Sequence, residues 1–471
     1  MDTGNLSWKE GPSPRGGFFY YFPHSMALIE HDEHFGRFLR ELQQCGGDVQ
    51  AVDFSAYPEG YGEDTIANLA ILEKRGLLTE LHFPGIPSHV PLARLIIANT
   101  MRCNLVCRYC YNRFSANSPG LAQNDMSVKT FHRCVESLEE ASAALPHVEL
   151  CFIGGEPLLH PEILDEAAKW GEKLRKKGKE LFISATTNAT LLTGKMAEFC
   201  RRRQIHLKLT VDGTAEEHDC SRVFPGGRGS FQAIKGFLPG FFSTISPKAR
   251  YAATTINTRE SDPLERVITL SAMGFTVIDL VELYSREGIM GGGREPCGGG
   301  EAPEHQFAEK YRRLLEWLLE KVQQGIYLHV IPVYDLVRNL HHRRPAFLRC
   351  RAGGDSLAVS PDGTIYACHH FFGDGRFALG NVRSALPSSL LAPYRVPVGE
   401  RPGCSACWAR LFCGGPCFHR SLVIAGDAFP CVEVECIRIR ALVQEVIGFY
   451  LRLRNEENQP LGWFLEQGAY R

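Results

Sequence analysis

A chain of 471 residues is too long for one ordinary hydrophobic core and implies two to four domains. Hydrophobic residues at 44% and charged residues at 22% form a globular mix, which excludes an intrinsically disordered chain. A net charge of −1 argues against a nucleic-acid or polyanion binder. No apolar run reaches the roughly 18 residues that a membrane span needs, so no membrane partner is expected.

The start, "MDTGNLSWKEGPSPRGG", lacks the basic segment and apolar core of a signal peptide, and a cytoplasmic location is expected. In that compartment the 17 cysteines point away from disulfides. Ten of them fall in two spaced sets, which makes metal the leading reading.

Residues 1–92 read as a separate small α+β, winged-helix-like domain. "GGFFYYF" and "MALIEH" are expected strands. "HFGRFLRELQQC" and "DTIANLAILEKRGLL" have helical apolar spacing, the second stopping at Gly76. The proline-bearing stretch 82–93 reads as a linker. From 93 to about 310, strands alternate with helices. The expected strands are 94–100, 148–153, 181–187, 205–211, 250–257 and 277–283, with helices such as "SVKTFHRCVESLEEASAAL" between them. Six such units predict an α/β core with a parallel sheet, a partial (β/α)6 barrel two units short of a full one. A glycine-rich loop, 286–305, marks a seam. Residues 311–345 are expected as a helical bridge, 346–440 as a cysteine-rich domain, and 441–471 as a helical tail. The basic runs 175–179 and 201–203 read as solvated helix ends.

"TMRCNLVCRYCYNRFS" directly follows the first core strand and carries Cys103, Cys107 and Cys110 as CxxxCxxC. Thiolate sulfur suits zinc, copper(I) or iron–sulfur clusters, and three close cysteines can cap three irons of a four-iron cluster. Unligated buried thiols fit poorly, because the segment is not apolar. Three further features also follow strands: Gly154–Pro157 as GGEP, Asn188, and Asp212–Gly213. That is the side on which β/α folds build active sites. An ordinary glycine turn is the plain alternative for GGEP, and loop capping for Asp212, His218 and Asp219.

In that order these motifs resemble the radical SAM superfamily over residues 94–285. The resemblance implies a [4Fe–4S] cluster on Cys103, Cys107 and Cys110, with S-adenosylmethionine (SAM) on the open iron and a 5′-deoxyadenosyl radical as the agent of hydrogen abstraction. It implies SAM contacts at Tyr109, at Gly154, Gly155 and Glu156 for the amino group, at Asn188, at Thr210 in place of a serine, and at Arg222 for the carboxylate.

The second set runs Cys350-X12-Gly363-X4-Cys368, then Cys404, Cys407, Cys413 and Cys417 as CX2CX5CX3C, with Cys436 or Cys431 last. A zinc ribbon would leave three cysteines over. Seven cysteines in this order, with "SPDGTIYACH" and "FCGGPC", resemble the SPASM domain over about 345–440. That resemblance implies two auxiliary [4Fe–4S] clusters. The first would be held by Cys350, Cys368 and Cys417. The second would be held by Cys404, Cys407, Cys413 and Cys436, the last favoured over Cys431 because it opens the final helix. No cysteine stands just before Cys350, and the nearest upstream is Cys297. An open iron on the first auxiliary cluster is therefore expected, with a substrate thiolate as its natural ligand. Cys45, Cys134, Cys151, Cys200 and Cys220 read as small hydrophobes.

SPASM enzymes mostly modify peptides. Anaerobic sulfatase maturases resemble the chain in both cysteine regions, but they usually carry an aspartate directly after the second SPASM cysteine, where His369 stands here. They also usually lack such an N-terminal extension. That extension resembles, in pattern only, the leader-binding element of ribosomal-peptide maturases, and a packing or dimerisation arm is the plain alternative. The expectation is a radical SAM/SPASM peptide maturase that forms a cross-link, a thioether first. Its partners would be a precursor peptide with a leader and an electron donor such as flavodoxin or ferredoxin. His369, His370 and Asp374 are candidate proton acceptors, a fold-supporting role being the alternative. A sulfatase maturase and a non-catalytic iron–sulfur scaffold stand as the other readings.

Overall fold

The computed structural model describes residues 7–83, 85, 90–114, 124–256, 261–282, 304–384, 388–455 and 460–468. Cys297, most of the glycine-rich loop and part of the expected linker lie outside them.

The N-terminal part is a three-stranded antiparallel sheet, β1 (Lys9–Pro12), β2 (Phe18–Phe22) and β3 (Ala27–His31), in that spatial order. Two helices cover it. The first, Glu33–Gln44, is capped by the Asp32 side chain, which accepts from the main chain of His34 and Phe35. It buries Phe35, Phe38, Leu39 and Leu42, one stripe at helical spacing. The second, Tyr61–Lys74, ends as expected at Gly76, whose φ of 63° and backbone bond to Glu73 close the last turn. Tyr20, Phe22, Phe35, Phe38 and Leu69 share a core separate from the main one.

All six expected core strands are present: β4 (Arg94–Thr100), β5 (His147–Gly154), β6 (Glu180–Thr187), β7 (Ile205–Thr210), β8 (Tyr251–Ile256) and β9 (Val277–Glu282). Each pairs in parallel with the next. The sheet extends beyond them. β10 (His329–Ile331) joins β9 in parallel, and β11 (Ser356–Val359) joins β4 in parallel at the other side. β12 (Thr364–Tyr366) and β13 (Ala378–Asn381) continue antiparallel beyond β11. One ten-stranded sheet therefore carries eight parallel strands, with the cysteine-rich region hydrogen-bonded into it. The stretch 311–345, expected to be helical throughout, contributes β10 between helices Glu304–Gln323 and Val333–His341.

Amphipathic helices cover the outer face. Val128–Ala141 buries Phe131, Cys134, Val135 and Leu138, and Pro161–Lys176 buries Ile163, Leu164, Ala167 and Trp170. The helix Glu433–Asn455 packs along Glu304–Gln323. It starts three residues before Cys436, which therefore lies in its first turn rather than opening it. Among the described residues no helix is long and apolar enough to cross a membrane.

Candidate active site and auxiliary cysteine sites

The loop after β4 is pinned by the other motif segments. The Gly155 amide donates to the Thr100 carbonyl at 2.9 Å, and the Glu156 amide to the Arg102 carbonyl at 2.8 Å. Across the loop, the amides of Val106 and Arg108 donate to Val223 and Ser221 at 2.8 and 2.9 Å. The glycines of GGEP are required by this approach. A Cβ on Gly155 would sit 2.0 Å from the Arg102 carbonyl oxygen, and one on Gly154, at φ 135°, would sit 2.4 Å from that of Thr100. Gly154 and Gly155, the expected contacts of the SAM amino group, thus pack directly against the cysteine loop.

Glu156 is 1% exposed. Its carboxylate accepts from the Thr187 hydroxyl at 2.7 Å and from the amides of Asn188 and Leu158 at 2.7 and 3.1 Å. Burial pushes its pKa up against those donors. Asn188 donates to Asn104 at 2.9 Å and to the Cys103 sulfur at 3.8 Å, so it spans the loops after β4 and β6.

At the end of β7, Thr210 accepts from Arg222 Nη1 at 3.0 Å, and Asp212 accepts from Arg222 Nε at 2.6 Å. Asp212 also takes the Tyr109 hydroxyl and the Thr255 amide, the latter at 2.7 Å. The Arg222 guanidinium lies 5.3 Å from the Tyr109 ring centroid. Burial alone would lower the pKa of Arg222, but Asp212 and its neighbours hold it above the ordinary value. Arg222 in turn keeps Asp212 below its ordinary value despite burial. His218 and Asp219 act as supports. His218 Nδ1 accepts from the Asp212 amide at 3.2 Å and its Nε2 meets the Ser230 hydroxyl at 2.9 Å, while Asp219 accepts from the Phe231 amide at 2.8 Å.

Burial pushes the Cys103 thiol up to about 12, with Glu156, Cys107 and Cys110 adding to the shift. Three closely spaced cysteine sulfurs are soft donors that suit a positively charged metal group, so the donor set fits an iron–sulfur cluster. Among the described residues no three His, Cys, Asp or Glu side chains converge on one ion-sized point. A four-iron cube holds each thiolate on its own iron, farther apart than the donors of one tetrahedral ion.

Cys350, Cys368 and Cys417 form a second neighbourhood, each of the first two pushed up by burial and then by its partners. Cys404, Cys407, Cys413, Cys417, Cys431 and Cys436 line one cavity of about 130 Å3. Within it the sulfurs of Cys404 and Cys431 stand 3.0 Å apart, and burial pushes Cys436 up to about 12.

Beside Cys368, the His369 and His370 rings lie tilted on one another, 4.2 Å between centroids. His419 stacks on His370 at 4.4 Å, and Tyr111 tilts on His370 at 4.3 Å. Burial lowers His369 to about 3 and His419 to about 4, and their neighbours add to it. The Nδ1 atoms of His369 and His370 are buried without a hydrogen-bond partner among the described residues. Asp374 is committed elsewhere: it accepts from the Arg376 amide at 3.0 Å and forms an ion pair with its guanidinium.

The sequence reading missed His419 and Tyr111, which sit next to expected ligands. It also missed an ion pair between Lys208 of β7 and Asp279 of β9, with Tyr251 of β8 3.4 Å from Asp279. A lysine inside the apolar run "IHLKLTV" and an aspartate inside "VIDLVEL" were the available signal. Lys208 lies two residues before Thr210 and so shares its face of the strand.

Residues 99–237 match the Radical SAM superfamily. The chain carries a radical SAM domain. That domain holds the pinned cysteine loop, GGEP, Asn188 and the Asp212–Arg222 pair. The chain is similar to the antilisterial bacteriocin subtilosin biosynthesis protein AlbA of Bacillus subtilis, at 27% identity over 298 residues, 60% of this chain and 56% of that one. It is similar to a serine-type anaerobic sulfatase-maturating enzyme of Bacteroides thetaiotaomicron, at 29% identity over 137 residues, 28% of this chain and 32% of that one. In each case the match spans less than two thirds of the relative. Among solved structures, anSMEcpe with bound AdoMet aligns at TM-score 0.64 and 17% identity, covering 80% of this chain and 99% of that one. Streptococcus suis SuiB bound to precursor peptide SuiA aligns at TM-score 0.51 and 15% identity, covering 91% and 99%. At those identities the radical SAM domain and its neighbours share a fold.

Proposed function

We propose that this radical SAM protein is a peptide maturase that takes a hydrogen from a ribosomal precursor peptide and forms a cross-link, a thioether first. The observation that carries the proposal is the cysteine loop pinned by GGEP, by 221–223 and by Asn188, beside two further cysteine groups in one sheet-linked body. A relative named for bacteriocin biosynthesis and a neighbour bound to a precursor peptide support the substrate class.

Cys103, Cys107 and Cys110 would hold the SAM cluster, and Cys350, Cys368 and Cys417 the first auxiliary cluster. Cys404, Cys407, Cys413 and Cys436 would hold the second, with Cys431 and Cys417 also on the same cavity. When bound, these groups with SAM supply the 5′-deoxyadenosyl radical and an acceptor for the electron that a cross-link releases.

The chain's own residues do the positioning. Gly154 and Gly155 let the main chain close on the cysteine loop. Glu156, through its three donors, fixes the start of the next helical turn and the Asn188 amide. Arg222, held by Asp212, offers a guanidinium to the SAM carboxylate, with Thr210 and Tyr109 beside it. His369 and His370, whose buried Nδ1 atoms have no hydrogen-bond partner among the described residues, are the proposed proton acceptors. Asp374 would have to leave Arg376 to serve. In a thioether the peptide's S–H and C–H give way to C–S; the hydrogen atom goes to deoxyadenosine, the thiol proton to one of these bases.

The N-terminal sheet is the proposed seat of the leader, added as a strand at an edge. The proposed location is the cytoplasm, and the proposed reductant a flavodoxin or ferredoxin. The second reading is formylglycine formation on a sulfatase, supported by the sulfatase-maturating relative. Incubation with a short cysteine-containing peptide encoded beside the gene, under SAM and dithionite, separates the two. Loss of two hydrogens from that peptide, with a sulfur–carbon link in its fragment spectrum, supports the maturase. An unmodified peptide alongside formylglycine on a sulfatase peptide overturns it.

A further inference from the structure

β2 is buried on both sides, and its residues alternate between two cores. Tyr20 and Phe22 fill the N-terminal core, while Phe19 and Tyr21 belong to the main one. Tyr21 is 0% exposed. Its ring lies 5.4 Å from that of Phe412 and 6.3 Å from that of Trp408. Trp408 directly follows Cys407 and Phe412 directly precedes Cys413. The phenol is thus wedged between the two side chains that flank two proposed cluster ligands.

The Tyr21 hydroxyl is buried and has no hydrogen-bond partner among the described residues. An unsatisfied buried hydroxyl is destabilising, a penalty that phenylalanine at the same site would avoid. Its neighbour differs: the Tyr20 hydroxyl donates to the Asp32 carbonyl at 2.9 Å and accepts from the Gly36 amide at 2.9 Å. Arg410 lies in the chain between Trp408 and Phe412 and lines the cavity of the second cysteine group. Arg410 is itself tied back to the N-terminal part through His24 at 2.8 Å. The orphan hydroxyl therefore points to an acceptor that is not a protein atom.

We infer that Tyr21 donates a hydrogen bond to a sulfide of the second auxiliary cluster, so that the N-terminal sheet tunes that cluster's reduction potential. The inference rests on the three-cluster reading above. Hydrogen bonds to cluster sulfurs stabilise the more negative, reduced state and raise the potential. Because β2 is the central strand of the sheet proposed to receive the leader, the same strand touches both the peptide module and the cluster shell.

The test uses the full chain, reconstituted anaerobically, with iron counted and each cluster titrated by potentiometry under electron paramagnetic resonance. Tyr21→Phe keeps the ring and removes only the hydroxyl. The expected result is unchanged iron, one midpoint potential moved to a more negative value, and the others unmoved. Tyr20→Phe, on the opposite face of the strand, is expected to move none. Removal of Cys103, Cys107 and Cys110 together leaves the auxiliary signals, so the shifted one is assigned there. Identical potentials in wild type and Tyr21→Phe overturn the inference while leaving the clusters in place, as does an equal shift in Tyr20→Phe. About four irons in the wild type overturns the three-cluster reading and the inference with it.

Discussion

At Asp212 one buried carboxylate accepts from Arg222, from the Tyr109 hydroxyl and from the Thr255 amide. Removing one partner of such a pair leaves an uncompensated buried charge, at a cost of about 3–5 kcal/mol. Asp212→Asn is therefore expected to lower the thermal midpoint sharply and to weaken SAM binding in anaerobic equilibrium dialysis. Replacing Asp212 and Arg222 together by leucine should recover much of the stability and none of the binding; recovery of both would show that the pair serves the fold alone. His218 gives the pH dependence. Its folded pKa is lowered to about 4 from 6.5, chiefly by burial. Between those values the unfolded chain takes a proton that the folded chain refuses. Stability therefore falls as pH drops from about 6.5 to about 4, by an order of 2–3 kcal/mol from this residue, and levels below. The thermal midpoint of His218→Gln should follow pH less steeply than that of wild type; parallel curves would contradict the assignment. Cys436 and Cys431 compete for one role. If Cys436 is the ligand, Cys436→Ala loses about four irons and Cys431→Ala none.

The elements that place the site were legible because each core strand is an apolar run bounded by turn residues, and the first four end where a polar motif begins. β4, β5, β6 and β7 lie within a residue of expectation at either end. The strands that extend the sheet were not legible. β10, β11 and β12 have three or four residues, too few for a period, and exist through pairing with distant partners. Pairwise roles were legible only in part. CxxxCxxC spacing located the cysteine loop, but nothing local said that Gly155 would press on Arg102, or that Lys208 and Asp279 would meet from two strands. Gly155→Ala tests the element-scale claim. A Cβ placed 2.0 Å from a main-chain oxygen forces the cysteine loop to move, so the variant should lose about four irons while its far-ultraviolet dichroism stays native. Full iron content would contradict the pinning role.

Across the whole molecule, the N-terminal sheet is bolted to the C-terminal region at several points. Glu30 accepts from Asn455 at 2.9 Å and forms an ion pair with Arg454, and Ser13 donates to it as well. Arg343 donates to the carbonyls of Ser25 and Gly76, each at 2.8 Å. These contacts hold the proposed leader-binding domain against the end of the helix Glu433–Asn455 and against the segment that follows Val333–His341. Glu30→Ala should speed hydrogen exchange in β3 and in the last turn of Glu433–Asn455 and leave iron content unchanged; no change in exchange would remove Glu30 from the coupling. The central claim is that Cys103, Cys107 and Cys110 form a SAM-cleaving centre beside two auxiliary clusters. The most direct measurement is an anaerobic iron count with a 5′-deoxyadenosine assay under SAM and dithionite, on wild type and on Cys103→Ala/Cys107→Ala/Cys110→Ala. The account predicts about twelve irons falling to about eight, with deoxyadenosine lost in the variant. Zinc in place of iron, or iron with no deoxyadenosine from the wild type, would contradict it.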